Sequence, residues 1–404
     1  MKSKSCFFFV DDMDSSFVEN ELQNLLANFE KVIVVTKAAV KRSEANIEVI
    51  SLNHTEMKSL NNFISNLILI AKIYLGDVDF ANISFNLNFI KYKLSSINRA
   101  VYLANLLSNN YNLGKNETYY SFWMNEWASV LAILKQKSKI EKFVTRVHGA
   151  DLYEERVPIF NKLVLRKFQL QNVFKVFSIS KKGAQYLKNK YEVFQNKIFT
   201  SYLGTNDCGL GHFDKSEKFT IVSCAKVRNI KRVYLFPEIL KHIDFPIKWV
   251  HIGDENLNSS DATIPTYIKN VKELEGKSNV EVVRLGAMSN AEILNYYKEN
   301  SVNLFVSVSE TEGLPISMME AISFGMPILS TDVGGCNEIV NEITGILIEK
   351  DFDPKAVAVK MLETKNSELN SLENRIAIKN YWQATFNSKT NFRFINIWWQ
   401  HYNS

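Results

Sequence analysis

Residues 301–340, SVNLFVSVSETEGLPISMMEAISFGMPILSTDVGGCNEIV, decide the fold. The stretch opens on an apolar run of strand length, Val302–Ser309. A loop follows, Glu310–Pro315 (ETEGLP), and then ISMMEAISFG, which predicts a helix. Gly325 suits the position just past the helix end, and Pro327 starts the next strand, MPILST. Strand, loop, helix and strand in that order form the unit of a parallel sheet wrapped by helices. Ligands of such sheets sit at the carboxyl ends of the strands. The loop lies at that end and leads into a helix N-terminus, whose free N–H groups and dipole attract phosphate. Gly313 lets the backbone come close to a ligand, and Pro315 fits a first helical turn. Glu312 sits in the loop and Glu320 inside the helix, so two carboxylates meet a ligand at points one to two turns apart. A plain strand–helix unit with solvated glutamates is the competing reading. It leaves the Gly-Leu-Pro entry without a purpose.

The string is Glu312-Gly313-Leu314-Pro315, four residues, Glu320; then Ala321, Gly325 and Pro327; then Gly334, Gly335 and Glu338. It resembles the retaining GT-B glycosyltransferases of family 4, the group 1 glycosyl transferases, of the kind that build bacterial surface polysaccharides. The resemblance implies an α/β fold, GT-B, with two Rossmann-like domains facing each other across a cleft. It implies that Glu312 binds hydroxyls of the donor sugar and Glu320 the ribose of the nucleotide. The backbone around Gly313, Leu314 and Pro315 would receive the sugar and the phosphate.

A chain of 404 residues is long enough for two ordinary domains. With 46% hydrophobic and 23% charged residues it has a globular composition, not that of a disordered or fibrous chain. Cys6, Cys208, Cys224 and Cys336 are scattered without metal-binding spacing, as for thiols of a reducing compartment. No segment reaches the roughly 18 apolar residues that cross a bilayer. The start, MKSKSCFFFVDDMD, reads as a first strand and not a signal peptide, because acids follow the apolar run at once. The expected location is therefore cytoplasmic. Residues 1–203 hold 27 Lys/Arg and 18 Asp/Glu, a balance of +9; residues 204–404 hold 21 and 25, or −4, and the two sum to +5. A basic first half suits an anionic partner or surface as well as it suits scattered solvated lysines.

In chain order, CFFFV (6–10) predicts a strand, Phe17–Phe29 an amphipathic helix, and Lys31–Thr36 and Ile47–Leu52 two more strands. This start suits a doubly wound domain. Where the family often has glycines after the first strand, this chain has Asp11, Asp12 and Asp14, which argues against a phosphate role there. Acceptor contact is the reading left for Asp12 and Asp14. Phe63–Leu75, FISNLILIAKIYL, reads as a core helix ahead of a helix lying in a membrane interface, with Lys72 inside it and Lys91, Lys93 and Arg99 beyond. Asn116–Trp123 predicts a strand, and a helix follows it.

FVTRV (143–147) predicts a strand with His148 and Gly149 just past its carboxyl end and Asp151 in the next loop. His-Gly-x-Asp resembles the family pattern, which implies that His148 touches the donor sugar and that Asp151 lies toward the acceptor. Arg146, Arg156 and Lys167 are assigned to substrate or surface. Gly204–Lys218 reads as a linker. Phe219–Ala225 opens the second domain, and its loop carries Lys226, Arg228, Lys231 and Arg232 before a helix, well placed for a diphosphate. Lys231 matches the family's lysine. Lys226 stands where arginine is usual and lacks its bidentate fork, so Arg228 is an alternative. Leu285, Gly286 and Ala287 would bracket the base by resemblance, while Ser289 and Glu292 form a capping box. Trp398, Trp399 and Tyr402 are expected as packing residues in a tail that crosses back to the first domain.

These readings give an acceptor domain over 1–203, a donor domain over 204–385 and a returning helix over 386–404. The implied reaction is metal-independent transfer of a hexosyl group with retention. The donor is a UDP-sugar first and GDP-mannose second, and the acceptor a glycan or lipid-linked glycan of capsule, O-antigen or exopolysaccharide assembly. His148, Glu312 and Lys231 carry the catalysis. No cofactor and no nucleic acid is expected, contact with the inner face of the plasma membrane stays open, and so does the oligomeric state. The alternatives are a nucleotide-sugar epimerase and a non-catalytic partner subunit.

Overall fold

The computed structural model describes residues 3–11, 13, 16–40, 42, 44–52, 64, 66–77, 86–156, 164–214, 218–255, 261–274 and 276–392. The chain divides into two compact units, one running to Ser201 and one starting at Tyr202.

The first unit holds a parallel sheet of β1 (Ser3–Phe9), β2 (Phe29–Thr36), β3 (Ile47–Ser51), β4 (Thr118–Ser121), β5 (Val144–Val147), β6 (Lys175–Ser178) and β7 (Ile198–Thr200). Their spatial order is β3-β2-β1-β4-β5-β6-β7. The second unit holds β8 (Phe219–Cys224), β9 (Ile247–Ile252), β10 (Val280–Gly286), β11 (Leu304–Ser307), β12 (Ile328–Thr331) and β13 (Gly345–Ile348), in the order β10-β9-β8-β11-β12-β13. Both are doubly wound Rossmann-like sheets. Continuous apolar runs such as CFFF and TIVS make these strands because parallel strands are covered on both faces. In each sheet the order reverses once, between β1 and β4 and between β8 and β11. The strand ends part there and leave a crevice for a ligand.

The decisive stretch forms as its pattern requires. β11 runs into the loop, and the helix Ile316–Ser323 follows with Pro315 as its N-cap residue. Met318, Met319, Ala321 and Ile322 are buried, and each of the larger side chains contributes on the order of 1.5–3 kcal/mol. That packing makes the helix a rigid mount for Glu320. Gly325 takes φ +76° just past the helix end, the left-handed cap conformation.

Two expectations change. The stretch 204–214, expected as a linker, is bound along the second unit: Thr205 pairs with Asn387, its hydroxyl accepts from Trp382 Nε1 at 2.8 Å, and the Gly211 amide donates to Phe324 at 3.1 Å. Loop composition hid these anchors because they are bonds to residues more than a hundred positions away. The expected core helix is Leu67–Gly76, and it buries only one side. The described chain continues through the helix Leu372–Thr385 to Phe392; Trp398, Trp399 and Tyr402 lie outside the described residues. Among the described residues no helix is long and apolar enough to cross a membrane.

Candidate functional site

In the second unit the site residues gather at the carboxyl ends of β8 and β11. The loop after β8 makes one tight turn, Asn229–Lys231, and then Arg232 adopts φ +49°. The sequence counts Arg232 among the basic residues facing a diphosphate; the structure uses it as a strut. Its Nε donates to the Val308 carbonyl at 2.8 Å, one Nη to Lys350 at 2.7 Å and to Ser309 at 3.4 Å, and the guanidinium lies over the Phe352 ring. The Glu310 amide donates to Ile230 at 2.8 Å and closes the same junction.

This junction sets Lys231 Nζ 2.6 Å from Glu312 Oε1. Glu312 is mostly buried and Lys231 partly exposed, so the ammonium faces both the carboxylate and solvent. Lys226 and Arg228 are exposed on the same loop. The loop after β12 comes in from the other side. Gly334 has φ +55°, and a Cβ there would lie 1.8 Å from the Glu312 carbonyl oxygen. Gly335 donates its amide to the Gly313 carbonyl at 2.8 Å. Two adjacent glycines are needed because this loop rests directly on the Glu312–Gly313 backbone. Leu314 and Pro315 are buried, so any part they play is a backbone one. Burial and a carboxylate partner, Glu338, raise the Tyr202 hydroxyl above its usual range, which puts Glu338 in contact with Tyr202.

Glu320 is buried on the helix, and its Oε1 accepts from Asn290 Nδ2 at 2.6 Å. Burial pushes its carboxyl up to about 7, against the pull of Asn290. Asn290 opens the helix Asn290–Glu299, capped by Ser289 and Glu292 in the expected box. It stands just beyond Leu285, Gly286 and Ala287, where β10 ends with Leu285 and Ala287 exposed and Gly286 at φ +69°. Sequence reading missed Asn290. Its only signal is the residue after an N-cap, which carries no chemistry by itself.

In the first unit His148 lies at the end of β5, its ring 4.6 Å from Phe122 and 6.0 Å from Trp123, centroid to centroid. Neither ring nitrogen has a hydrogen-bond partner among the described residues. Burial, then the charge of Arg146, lowers the imidazole well below its ordinary value, so it is neutral. Asp151 is turned inward. Its carboxylate accepts the His148 and Met124 amides, both at 2.6 Å, and ties the end of β4 to the end of β5. Arg166 completes the tie through the carbonyls of Met124, at 2.9 Å, and Asp151. Burial pushes the Asp151 carboxyl up to about 6. Both carboxylate oxygens of Asp151 are therefore engaged inside the fold, by the amides that follow β4 and β5. Arg146, assigned above to substrate or surface, is buried and bonded to Tyr120 at 3.0 Å, Ser201 at 3.1 Å and Glu21 at 3.3 Å.

Asp12 and Asp14 lie outside the described residues. Their neighbour Asp11 accepts from Asn125 at 2.5 Å beside an ion network of Lys37 with Glu126 at 2.5 Å and Arg99 with Glu126 at 2.8 Å. This cluster, at the order reversal of the first sheet, was not anticipated, because its members are spread over more than a hundred positions. No group of three or more His, Cys, Asp or Glu among the described residues is arranged to hold a metal.

Comparison with known proteins follows the same division. Residues 218–366 match the family described as Glycosyl transferases group 1. An uncharacterized glycosyltransferase of Methanocaldococcus jannaschii is 28% identical over 272 residues, 65% of this chain and 71% of that protein. The O-antigen biosynthesis glycosyltransferase WbnH of Escherichia coli is 42% identical over 62 residues, 15% of this chain and 18% of that protein. The crystal structure of Anabaena HepE in complex with UDP superposes with a TM-score of 0.71 at 12% identity, over 98% of this chain and 100% of that one, a likeness of fold.

Proposed function

This chain belongs to the group 1 glycosyltransferases and has the GT-B fold, and on that premise we propose that it moves a hexosyl group with retention from a UDP-sugar, or GDP-mannose as second choice, to a glycan or lipid-linked glycan. The setting is surface-polysaccharide assembly in the cytoplasm. The observation that carries the reading is the Lys231–Glu312 pair at the β8/β11 reversal, with Glu320 on the helix that follows and linked to Asn290. Solved structures and relatives named for UDP and for O-antigen support the donor class and the setting.

In this reading Glu320 accepts hydroxyls of the ribose and the backbone of Leu285, Gly286 and Ala287 brackets the base. Glu312 accepts hydroxyls of the sugar. Lys231, with Lys226 or Arg228 and the amides at Gly313–Leu314, stabilises the charge that develops on the diphosphate as the anomeric bond breaks. His148 is neutral and serves the transferred sugar as a hydrogen-bonding group instead of a cation. The acceptor hydroxyl attacks C1 on the face the phosphate leaves, and its proton passes to a phosphate oxygen. No metal takes part in this scheme.

The test is a thermal-shift panel of UDP, GDP, ADP and their sugar conjugates, because a ligand bound only by the folded state raises its melting temperature. Stabilisation by one nucleotide series, lost in Glu320→Ala, is the expected result. No stabilisation by any of them in folded protein would overturn the reading.

A further inference from the structure

The two carboxylates of the donor site are held by different chemistry. Glu312 faces a cation, Lys231 Nζ at 2.6 Å. Glu320, 6% exposed, has no cation bonded to it among the described residues. Its side chain has one hydrogen-bond partner among them, Asn290, whose Nδ2 donates to Oε1 at 2.6 Å. The titratable groups that face it are Tyr297 of the same helix as Asn290, Cys224 at the end of β8 and Cys208 in the stretch 204–214. Burial, and to a smaller extent the charge of Glu320, raises all three above their usual values, so each is neutral and none offsets the carboxylate. A buried carboxylate without a counter-charge gives up its charge unless hydrogen bonds retain it. At Glu320 that falls to Asn290.

Asn290 is not needed by the helix it opens. Ser289 Oγ accepts the Glu292 amide at 3.3 Å, and the Glu292 carboxylate accepts the Ser289 amide at 2.7 Å. This reciprocal cap satisfies the helix start by itself, which leaves the Asn290 side chain for Glu320. The helix is also fixed in place. Tyr297, seven residues on and so on the same face, is buried with its ring 5.7 Å from that of Phe324, just past the helix that carries Glu320. A carboxylate only accepts, so the amide gives Glu320 its Nδ2, and Oε2 is left without a partner among the described residues.

We propose that Asn290 is a positioning residue of the donor site, fixing Glu320 by Oε1 so that Oε2 is presented as a carboxylate acceptor to the ribose hydroxyls of a nucleoside diphosphate. The inference rests on the donor reading and adds to it a residue that sets nucleotide affinity, and the pH dependence of that affinity, without touching the reacting sugar. The competing role is a structural pair that satisfies a buried carboxyl and does nothing for the ligand. The two differ in how the loss of Asn290 depends on pH.

The experiment is calorimetric titration of the full chain with UDP at pH 8.5 and at pH 7, in wild type, Asn290→Ala, Asn290→Ser and Glu320→Ala, with the melting temperature of each. Asn290→Ala binds about tenfold more weakly than wild type at pH 7, the scale of one lost hydrogen bond to a charged group. The gap narrows at pH 8.5, where the carboxyl ionises without the amide. Asn290→Ser, which keeps a donor, recovers part of the loss. Both Asn290 variants stay folded, because Ser289 and Glu292 retain the cap and Glu320 can take up a proton. Equal affinity of wild type and Asn290→Ala overturns the proposal, and so does a deficit of the same size at both pH values, the mark of a structural pair. Binding by wild type that Glu320→Ala abolishes leaves the donor reading standing in either case. A wild type that binds neither UDP nor GDP overturns both.

Discussion

The carboxyl ends of the two sheets solve one geometric problem with opposite chemistry. At β8/β11 the charges are held outward: Lys231 meets Glu312 at 2.6 Å with the lysine still partly in solvent. At β4/β5 the polar groups are consumed internally. Asp151 spends its carboxylate on two backbone amides, and His148 presents a neutral ring packed against Phe122 and Trp123. The contrast teaches that a charged end can stabilise a leaving diphosphate, whereas the β4/β5 corner is a shaped, weakly polar wall beside the ion network of Lys37, Arg99 and Glu126. A doubly wound sheet fixes where a site sits; the loops decide whether it carries charge.

The largest expected effect tests the outward end. Glu312→Ala reduces kcat/KM by roughly 100- to 1000-fold, the scale of losing a group that acts on the reacting sugar, while UDP-induced stabilisation stays near wild type. Near-normal turnover would remove Glu312 from the site. The inward end is tested through stability. Asp151→Ala strands two buried amides and lowers stability by about 2–5 kcal/mol, and Asp151→Asn, which keeps an acceptor, restores part of both stability and kcat. If the alanine variant melts as wild type, Asp151 does not hold the β4 and β5 ends together.

The comparison is sharpened by pH. Glu320 with a pKa of about 7 is charged above that pH, and the charged form is the better acceptor of ribose hydroxyls. From pH 8 to pH 6 the ionised fraction falls by about tenfold, so kcat/KM should fall by about the same factor. Glu320→Gln flattens that step; a step that persists belongs to another group, with Asp151 near 6 the first to examine. The stability effect has the opposite sign. A carboxyl whose folded pKa is raised favours folding while protonated, and that contribution is lost as pH rises from the unfolded value through about 7. Glu320→Gln therefore gains in melting temperature over wild type at pH 8 and not at pH 5. The smallest effect is Lys226→Ala, about two- to fivefold in donor KM, because an exposed lysine contributes little. A loss as large as that of Lys231→Ala would move the diphosphate toward Lys226.

Most of the strands were legible because buried parallel strands are continuous apolar runs, and CFFFV, VIVV and FTIVSC have few other fates. Glu312 and Glu320 stood out because glycines and prolines punctuate the loop and helix entry around them, and Lys231 because basic residues cluster between a strand end and a helix start. What escaped had no local mark. Lys37, Arg99 and Glu126 come together only through the fold, and Asn290 reads as an ordinary helix start. The direction of Asp151 depends on amides of two loops, which no spacing encodes. Helix 67–76 was assigned to the core because apolar residues on all sides give no stripe, and only its neighbours decide which side is covered.

Arg232 carries a consequence for how a ligand would be received. Its guanidinium bonds carbonyls after β11 and after β13, and the Glu310 amide reaches back to Ile230, so the basic turn is already fastened on three sides. The freedom of that loop is surrendered when the chain folds, and little remains to be surrendered when a nucleotide arrives. The amides of Glu310 and Gly335 should accordingly exchange slowly with solvent deuterium in the empty protein, and association should be paced by diffusion and charge instead of by loop rearrangement.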